Sequence, residues 1–319
     1  MRDVVVIGGG LSGLAASYEL ERRGAAYTVI EVKGRFGGGI RSRSEVGFVM
    51  DACAFAFRPL ADQALLENLG LRERLIQVGS ETCAFADGTE SLIGALAERL
   101  RGGRLMRMAV SSVGRLGNRF TICLENGIML DAGALILALP ARFAARALWN
   151  LAPDAAEQLA RFRYDSILRV SLGYHKRDLP ARPDGVLDET FPFIISTDQR
   201  GRVPDSDHLL VQVGLRHAED LPGGEAIRAV TQHFGWRASP LVARVDDWPE
   251  ADLLSNFCAA HRQRVDAICD KLADGVSLIG SDYCREAPEV SGVARLDERI
   301  QMGRQAARVA LAYLKAKKK

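Results

Sequence analysis

The chain has 319 residues, 48% of them hydrophobic, and 42 basic against 40 acidic residues leave a formal net charge of +2. That is enough apolar sequence for a sizeable core in two intertwined domains, while the near-neutral balance supplies no global field for nucleic acid. Six cysteines without a C-x-x-C pair (Cys53, Cys83, Cys123, Cys258, Cys269 and Cys284) read as reduced thiols of a cytoplasmic protein with neither a disulfide framework nor a metal site, and no basic leader with an apolar stretch announces a secretory signal or membrane span.

Residues 4–7, Val-Val-Val-Ile, are apolar and β-branched, as expected of a central parallel strand buried on both faces. The strand runs into G-x-G-x-x-G. Gly8 suits the tight turn, Gly10 lets backbone approach a pyrophosphate, and Gly13 lets the next helix pack closely on the strand. That helix is predicted over residues 11–23, so Leu11 and Ser12 open it and its first amides and positive dipole end face the phosphate. After a break at Gly24, residues 27–30 read as a second strand. Glu31 at its end has the spacing of an acid that accepts from a ribose hydroxyl, and its charge disfavours the 2′-phosphate of NADP. At this point NAD and FAD both remain open.

A second glycine signature follows at once: Glu31, Val32, Arg35, Gly37, Gly38, Gly39, Ile40, Arg41 and Ser42. It resembles the E-x-x-x-R-x-G-G extension of glutathione-reductase-type FAD proteins, in the branch of the amine oxidases and protoporphyrinogen oxidases. The resemblance implies FAD, with Arg35 reaching the pyrophosphate and ribose region and Gly37, Gly38 and Gly39 lying close to the isoalloxazine ring. A hairpin is predicted next, 43–46 and 48–51 around Gly47. It is similar to the family's G-F-x-x-D-x-G segment: Gly47, Phe48 and Asp51 match, while Cys53 stands at the usual glycine and must occupy space near the ring, as an inert small hydrophobe. An amphipathic helix over 59–75, broken at Gly70, and a second over 91–100 come next. Larger relatives insert a substrate-binding and membrane-contacting region between these helices. Its near absence here implies a smaller substrate, an open cleft or a wall supplied by a partner, and the renalase-like branch is similarly compact.

Residues 105–113, 120–124 and 128–130 alternate as a β-meander with a turn at Asn126-Gly127. Val110 resembles the family valine whose backbone meets adenine. Strand 134–139, containing Ala138 and closing at Pro140, is similar to the family's crossover strand. A second sheet is expected from strands at 167–174, 191–196 and 209–215 with a helix at 225–235. Trp248-Pro249 and the run from His261 to Val265 resemble stretches of the protoporphyrinogen oxidases, with Ala260 in place of a glycine, and His261 reads as structural, near a helix start. The end of the chain offers a buried strand over 276–283 ending at Gly280 and a helix over 295–315. With Gly292, Val293, Asp297, Gly303, Ala306 and Ala307 it resembles the second FAD motif, whose helix N-terminus faces the N1 and C2=O edge of the flavin. Either Ser281 or Asp282 is then the polar partner of the ribityl phosphate region, Cys284 lies near the ring without enough surrounding match to claim a covalent link, and Phe55 and Tyr283 are candidates for the flavin-facing wall.

The expectation is an α/β protein: a Rossmann-type FAD-binding domain (1–60, 84–140 and 270–319) with an intertwined α+β substrate domain (61–83 and 141–269). The resemblance implies an oxidoreductase whose flavin accepts a hydride at N5 from a C–N or C–C bond of a small molecule, a porphyrinogen or a small amine. No pair of residues has a spacing that marks a catalytic base. Two alternatives stay open: a non-catalytic binding protein on the same frame, as in the GDP-dissociation inhibitors, and one member of a homo-oligomer or larger oxidase whose partner subunit completes the pocket. No stable membrane insertion is expected.

Overall fold

Val4–Ile7 is buried along its whole length, and its alternating side chains enter two different cores, Val4 and Val6 on one face and Val5 and Ile7 on the other. The computed structural model describes residues 3–53, 55–179, 188–216, 221–253, 259–285 and 292–317. Val4–Ile7 is the middle strand of a five-stranded parallel sheet in the order Val276–Leu278, Ala134–Leu137, Val4–Ile7, Tyr27–Glu31, Gly103–Met106. On the first face lie the helix Leu11–Arg22 and the terminal helix Leu296–Ala316, joined through Leu14, Leu20, Ile300 and Ala307. On the second lie the antiparallel strands Val110–Leu116, Arg119–Leu124 and Met129–Ala132, together with the helices Ala141–Leu148 and Pro153–Ala160.

Several elements differ from the sequence reading for local reasons. The strand expected over 105–113 is divided: Arg107 adopts a left-handed φ of 58°, so Gly103–Met106 joins the parallel sheet and Val110–Leu116 starts the antiparallel one. The helix expected over 59–75 shortens to Gln63–Leu69. Asp62 caps it by accepting from Leu65 N at 2.8 Å, and Gly70 ends it at φ 71°. A single 3-10 turn, Arg72–Arg74, then leads into Leu75–Gln77, which with Cys83–Phe85, Ala56–Phe57 and Val293–Ala294 forms a small sheet absent from the sequence reading. Its pairing of Val293 with Ala56 ties the end of the chain to the segment after the hairpin.

The second large sheet is antiparallel, in the order Phe193–Thr197, His208–Arg216, Tyr164–His175, Val242–Leu253. Leu168, Val170 and Leu172 face the helix Gly223–His233 through Ala226 and Val230. The alternate residues, Arg169, Ser171 and Gly173, face the other way, where Phe48 and Met50 of the hairpin Ser42–Glu45/Phe48–Asp51 pack. Ala141–Leu148, Pro153–Ala160 and, through Val265 and Ile268, the helix Ala259–Cys269 fall within the range 141–269 yet share a core with the parallel sheet. Among the described residues no helix is long and apolar enough to cross a membrane.

Candidate dinucleotide site

The turn between Val4–Ile7 and Leu11–Arg22 uses its three glycines differently. Gly8 has φ 103°, and a Cβ there would lie 2.3 Å from the Ala138 carbonyl oxygen; one on Gly13 would lie 2.0 Å from the Gly8 oxygen and 3.1 Å from the Ala138 Cβ. Those two glycines and Ala138 form the packed joint of strand and helix. Gly10 is the exception. A Cβ on it meets nothing within 4 Å, so its free side is open space at the head of the helix.

Around that opening, among the described residues, the first amides of the helix have no partner within it and the Ser12 hydroxyl has none at all. Gly10 gives the helix no side-chain cap, and Leu14 N is the first amide bonded back, to Gly10 O at 2.9 Å. The amides of Leu11, Ser12 and Gly13 therefore have no partner within the helix. Ser12 Oγ is buried there without a hydrogen bond. Glu31, also buried, accepts from Gly9 N at 2.7 Å and Lys33 N at 2.8 Å, which fixes its carboxylate beside the turn. Val32 is 60% exposed next to it, an apolar side chain left without cover, and Val110 is half-buried at the start of its strand.

The second glycine signature touches the first. Gly37 N donates to Gly9 O at 2.8 Å, Gly10 and Gly37 form a parallel bridge, and a Cβ on Gly38 would sit 3.5 Å from Gly10 Cα. Arg35 spends its fork on this loop: Nη1 donates to Phe36 O and Ile40 O at 2.9 and 3.0 Å, and Nη2 to Gly38 O at 3.0 Å. It holds the carbonyls of the loop in place. Gly39 and Arg41 are exposed and Ile40 is buried. Cys53 occupies the space beside Gly39, its Sγ 3.4 Å from where a Cβ would be. Burial pushes its thiol up to about 11 against the opposing charges of Arg169 and Arg299, so it is protonated at neutral pH and no nucleophile.

The terminal helix crosses the first one at Gly303, where a Cβ would lie 2.3 Å from Ser12 O and 2.9 Å from Ala16 N. One turn earlier Arg299 is half-buried, its Nε without a partner among the described residues, and burial lowers its pKa; no motif in the chain points to it. Gly292, at φ 84°, lies against the Phe193 ring, and Val293 follows in the small sheet.

Three further candidates are buried. Tyr283 lies in the core of the parallel sheet, with its hydroxyl donated to Leu139 O at 3.0 Å, and Phe55 lies among Phe48, Met50 and Leu210. Asp282 is buried and accepts from Ala141 N and the Tyr164 hydroxyl, tying together three parts of the chain, whereas Ser281 is exposed. His261 is buried 5.9 Å from the Phe162 ring. Burial, then the charges of Arg295 and Arg264, hold its imidazole below the usual value, in keeping with a structural role. The side chains of Trp248 and Pro249, and all of Cys258, lie outside the described residues.

Comparison with known proteins bears on this arrangement. Residues 6–69 match the model of the NAD(P)-binding Rossmann-like domain, and residues 68–265 match that of the flavin containing amine oxidoreductases. Protoporphyrinogen oxidase 2, chloroplastic/mitochondrial, of Arabidopsis thaliana is 44% identical over 75 residues, 23% of this chain and 15% of that protein. Coproporphyrinogen III oxidase of Propionibacterium freudenreichii subsp. freudenreichii is 38% identical over 79 residues, 24% and 15% of the two chains. These matches thus span less than one sixth of the curated relatives. Among solved structures, a protein from Exiguobacterium sp. 255-15 provisionally described as a protoporphyrinogen oxidase superposes with a TM-score of 0.78 at 14% identity, over 98% of this chain and 99% of its own. An engineered putrescine oxidase does so with a TM-score of 0.74 at 16% identity, over the same shares. At those identities the likeness is one of fold.

Proposed function

The chain belongs to the family of flavin containing amine oxidoreductases, and on that premise we propose that it is an FAD-dependent oxidoreductase acting on a C–N or C–C bond of a small molecule. FAD, the cofactor of the family, supplies the hydride-accepting centre at N5. The observation that carries the reading is the head of the first helix: among the described residues Ser12 Oγ is buried without a partner, the amides of Leu11, Ser12 and Gly13 have none within the helix, and a Cβ on Gly10 meets nothing within 4 Å. An anionic pyrophosphate is the group that satisfies Leu11, Ser12 and Gly13 amides, the Ser12 hydroxyl and the positive helix end together. Glu31 would accept from ribose hydroxyls, Val32 and Val110 would cover adenine, and the loop Gly37–Arg41, fixed by Arg35, would lie along the ring. Gly292, Val293 and the start of the terminal helix would close the far side, with helix amides favouring negative charge on the ring.

The first reading of the substrate is a porphyrinogen, the class named for the two curated relatives matched over 75 and 79 residues. A small amine is the second reading. It is favoured by the short path between Gln63–Leu69 and Glu90–Glu98, which holds only one 3-10 turn and two three-residue strands where a larger pocket wall would stand. The described cysteines are all thiols, which suits a reducing cytoplasm. Turnover of coproporphyrinogen, protoporphyrinogen and putrescine by the holoprotein, followed by porphyrin fluorescence and peroxide release, tests the choice. Porphyrin formation with inert putrescine is the expected result; amine oxidation without porphyrin would contradict it.

A further inference from the structure

Asp51 and Arg202 are both fully buried, and Arg202 Nη1 donates to Asp51 Oδ2 at 2.6 Å. Taking such a pair out of water costs more than the attraction returns unless further hydrogen bonds complete it. On the arginine they do not. Nη1 also reaches Val49 O at 3.2 Å and the guanidinium covers the Phe55 ring at 4.7 Å, but among the described residues Nε and Nη2 have no partner. As a device for stability alone this arginine is poorly placed.

Its carboxylate partner is not. Asp51 accepts from Thr89 N at 3.0 Å and from the Ser42 hydroxyl, and its carbonyl accepts from Gln212 Nε2 at 3.0 Å, which is itself bonded to Ser171 Oγ at 2.7 Å. Ser42 and Glu90 then bond reciprocally: Ser42 N donates to Glu90 Oε2 at 2.9 Å and Glu90 N to Ser42 Oγ at 3.0 Å. Gly88, at φ 96°, allows this approach, since a Cβ there would lie 2.3 Å from Ser42 Oγ. The other Glu90 oxygen is 4.0 Å from Arg35 Nη1, and Arg35 grips the carbonyls of Phe36, Gly38 and Ile40. A continuous polar path thus runs from the antiparallel sheet side, through Asp51, Ser42, Glu90 and Arg35, to the glycine loop.

We propose that Arg202 is a positioning residue for the flavin loop, fixing the carbonyls of 36–40 through this path without touching the cofactor. The inference rests on flavin binding at that loop. Its charge orients Asp51, Asp51 orients the Ser42 hydroxyl, and the Ser42–Glu90 pair places the carboxylate that faces Arg35.

The test compares wild type, Arg202→Gln, Arg202→Lys, Glu90→Gln and the double variant Arg202→Gln/Glu90→Gln by FAD affinity, visible circular dichroism of the bound flavin and thermal midpoint. Arg202→Gln should weaken FAD binding about tenfold and alter the flavin dichroism, as expected for losing one hydrogen bond to a charged group. Arg202→Lys should restore most of the dichroism. The double variant should bind no more weakly than the weaker single, because both changes cut one path. An Arg202→Gln protein that is less heat-stable but has wild-type affinity and dichroism would overturn the proposal, as would strictly multiplicative losses in the double variant. Should Arg202→Gln fail to fold, Glu90→Gln, whose side chain is 38% exposed, decides: unchanged affinity and dichroism contradict the path. A wild type that takes up no FAD would overturn the function itself, whereas indifferent variants of a flavin-loaded wild type overturn only this inference.

Discussion

At Gly10 and Gly13 the same added methyl group has opposite consequences. On Gly10 it enters open space at an ordinary φ of −72°, so Gly10→Ala should fold with a thermal midpoint near wild type yet lose FAD affinity by about tenfold or more, because the methyl occupies the place of the pyrophosphate. On Gly13 it collides with the Gly8 carbonyl, 2.0 Å away, which is backbone and cannot yield. Gly13→Ala should cost about 1–3 kcal/mol or more, read from denaturant midpoints. The motif already assigns Gly10 to a ligand and Gly13 to helix packing, and the structure sets Gly13 against backbone and Gly10 beside open space, whereas the donors of Arg35, expected at the pyrophosphate, are turned to its own loop.

Between elements, the contact of the first and terminal helices carries a cluster of charges. Glu19 is buried there and bonded to Arg23 at 2.7 Å and Arg308 at 2.9 Å, with Arg304 at 3.4 Å. Burial alone would raise its carboxyl, but the bonds from Arg23 and Arg308 and the charges of Arg308 and Arg304 outweigh it and bring the pKa from 4.5 down to about 2. The folded value lies below the unfolded one, so this stabilisation is complete above 4.5 and is lost as the pH falls toward 2. Glu19→Gln should lower stability at pH 7 by about 2 kcal/mol and flatten the acid limb between those values, measured as denaturant midpoint against pH. The two helices were themselves legible, one from its glycine turn and the other from its apolar spacing. Ala141–Leu148 and Pro153–Ala160 were not, since each is only eight residues long and buries mainly alanines, which mark an apolar face weakly in a sequence. Val242–Leu253 was missed because it is an edge strand with charged residues such as Arg244 and Asp246 paired to each other, so it lacks an apolar alternation.

For the molecule as a whole, what sequence could show lay at its two ends, where contiguous motifs bring Gly8 to Arg41 and Gly292 to Ala307 to one side of the parallel sheet. The links that hold this side to the antiparallel sheet join residues far apart in the chain, Asp51 with Arg202 and Gln212, and have no local pattern. Tyr283 and Phe55 show the same limit: an aromatic residue near a motif may be named from its position, but only the completed core reveals that its neighbours are other side chains. All of these parts converge on one claim, that the head of the first helix and the glycine loop hold a redox-active flavin. The direct measurement is the visible absorption spectrum of the purified protein, after FAD reconstitution where it is colourless, before and after dithionite and then in air. Flavin bands that bleach on reduction and return with oxygen are the predicted result; a protein that remains colourless after incubation with FAD would contradict the account.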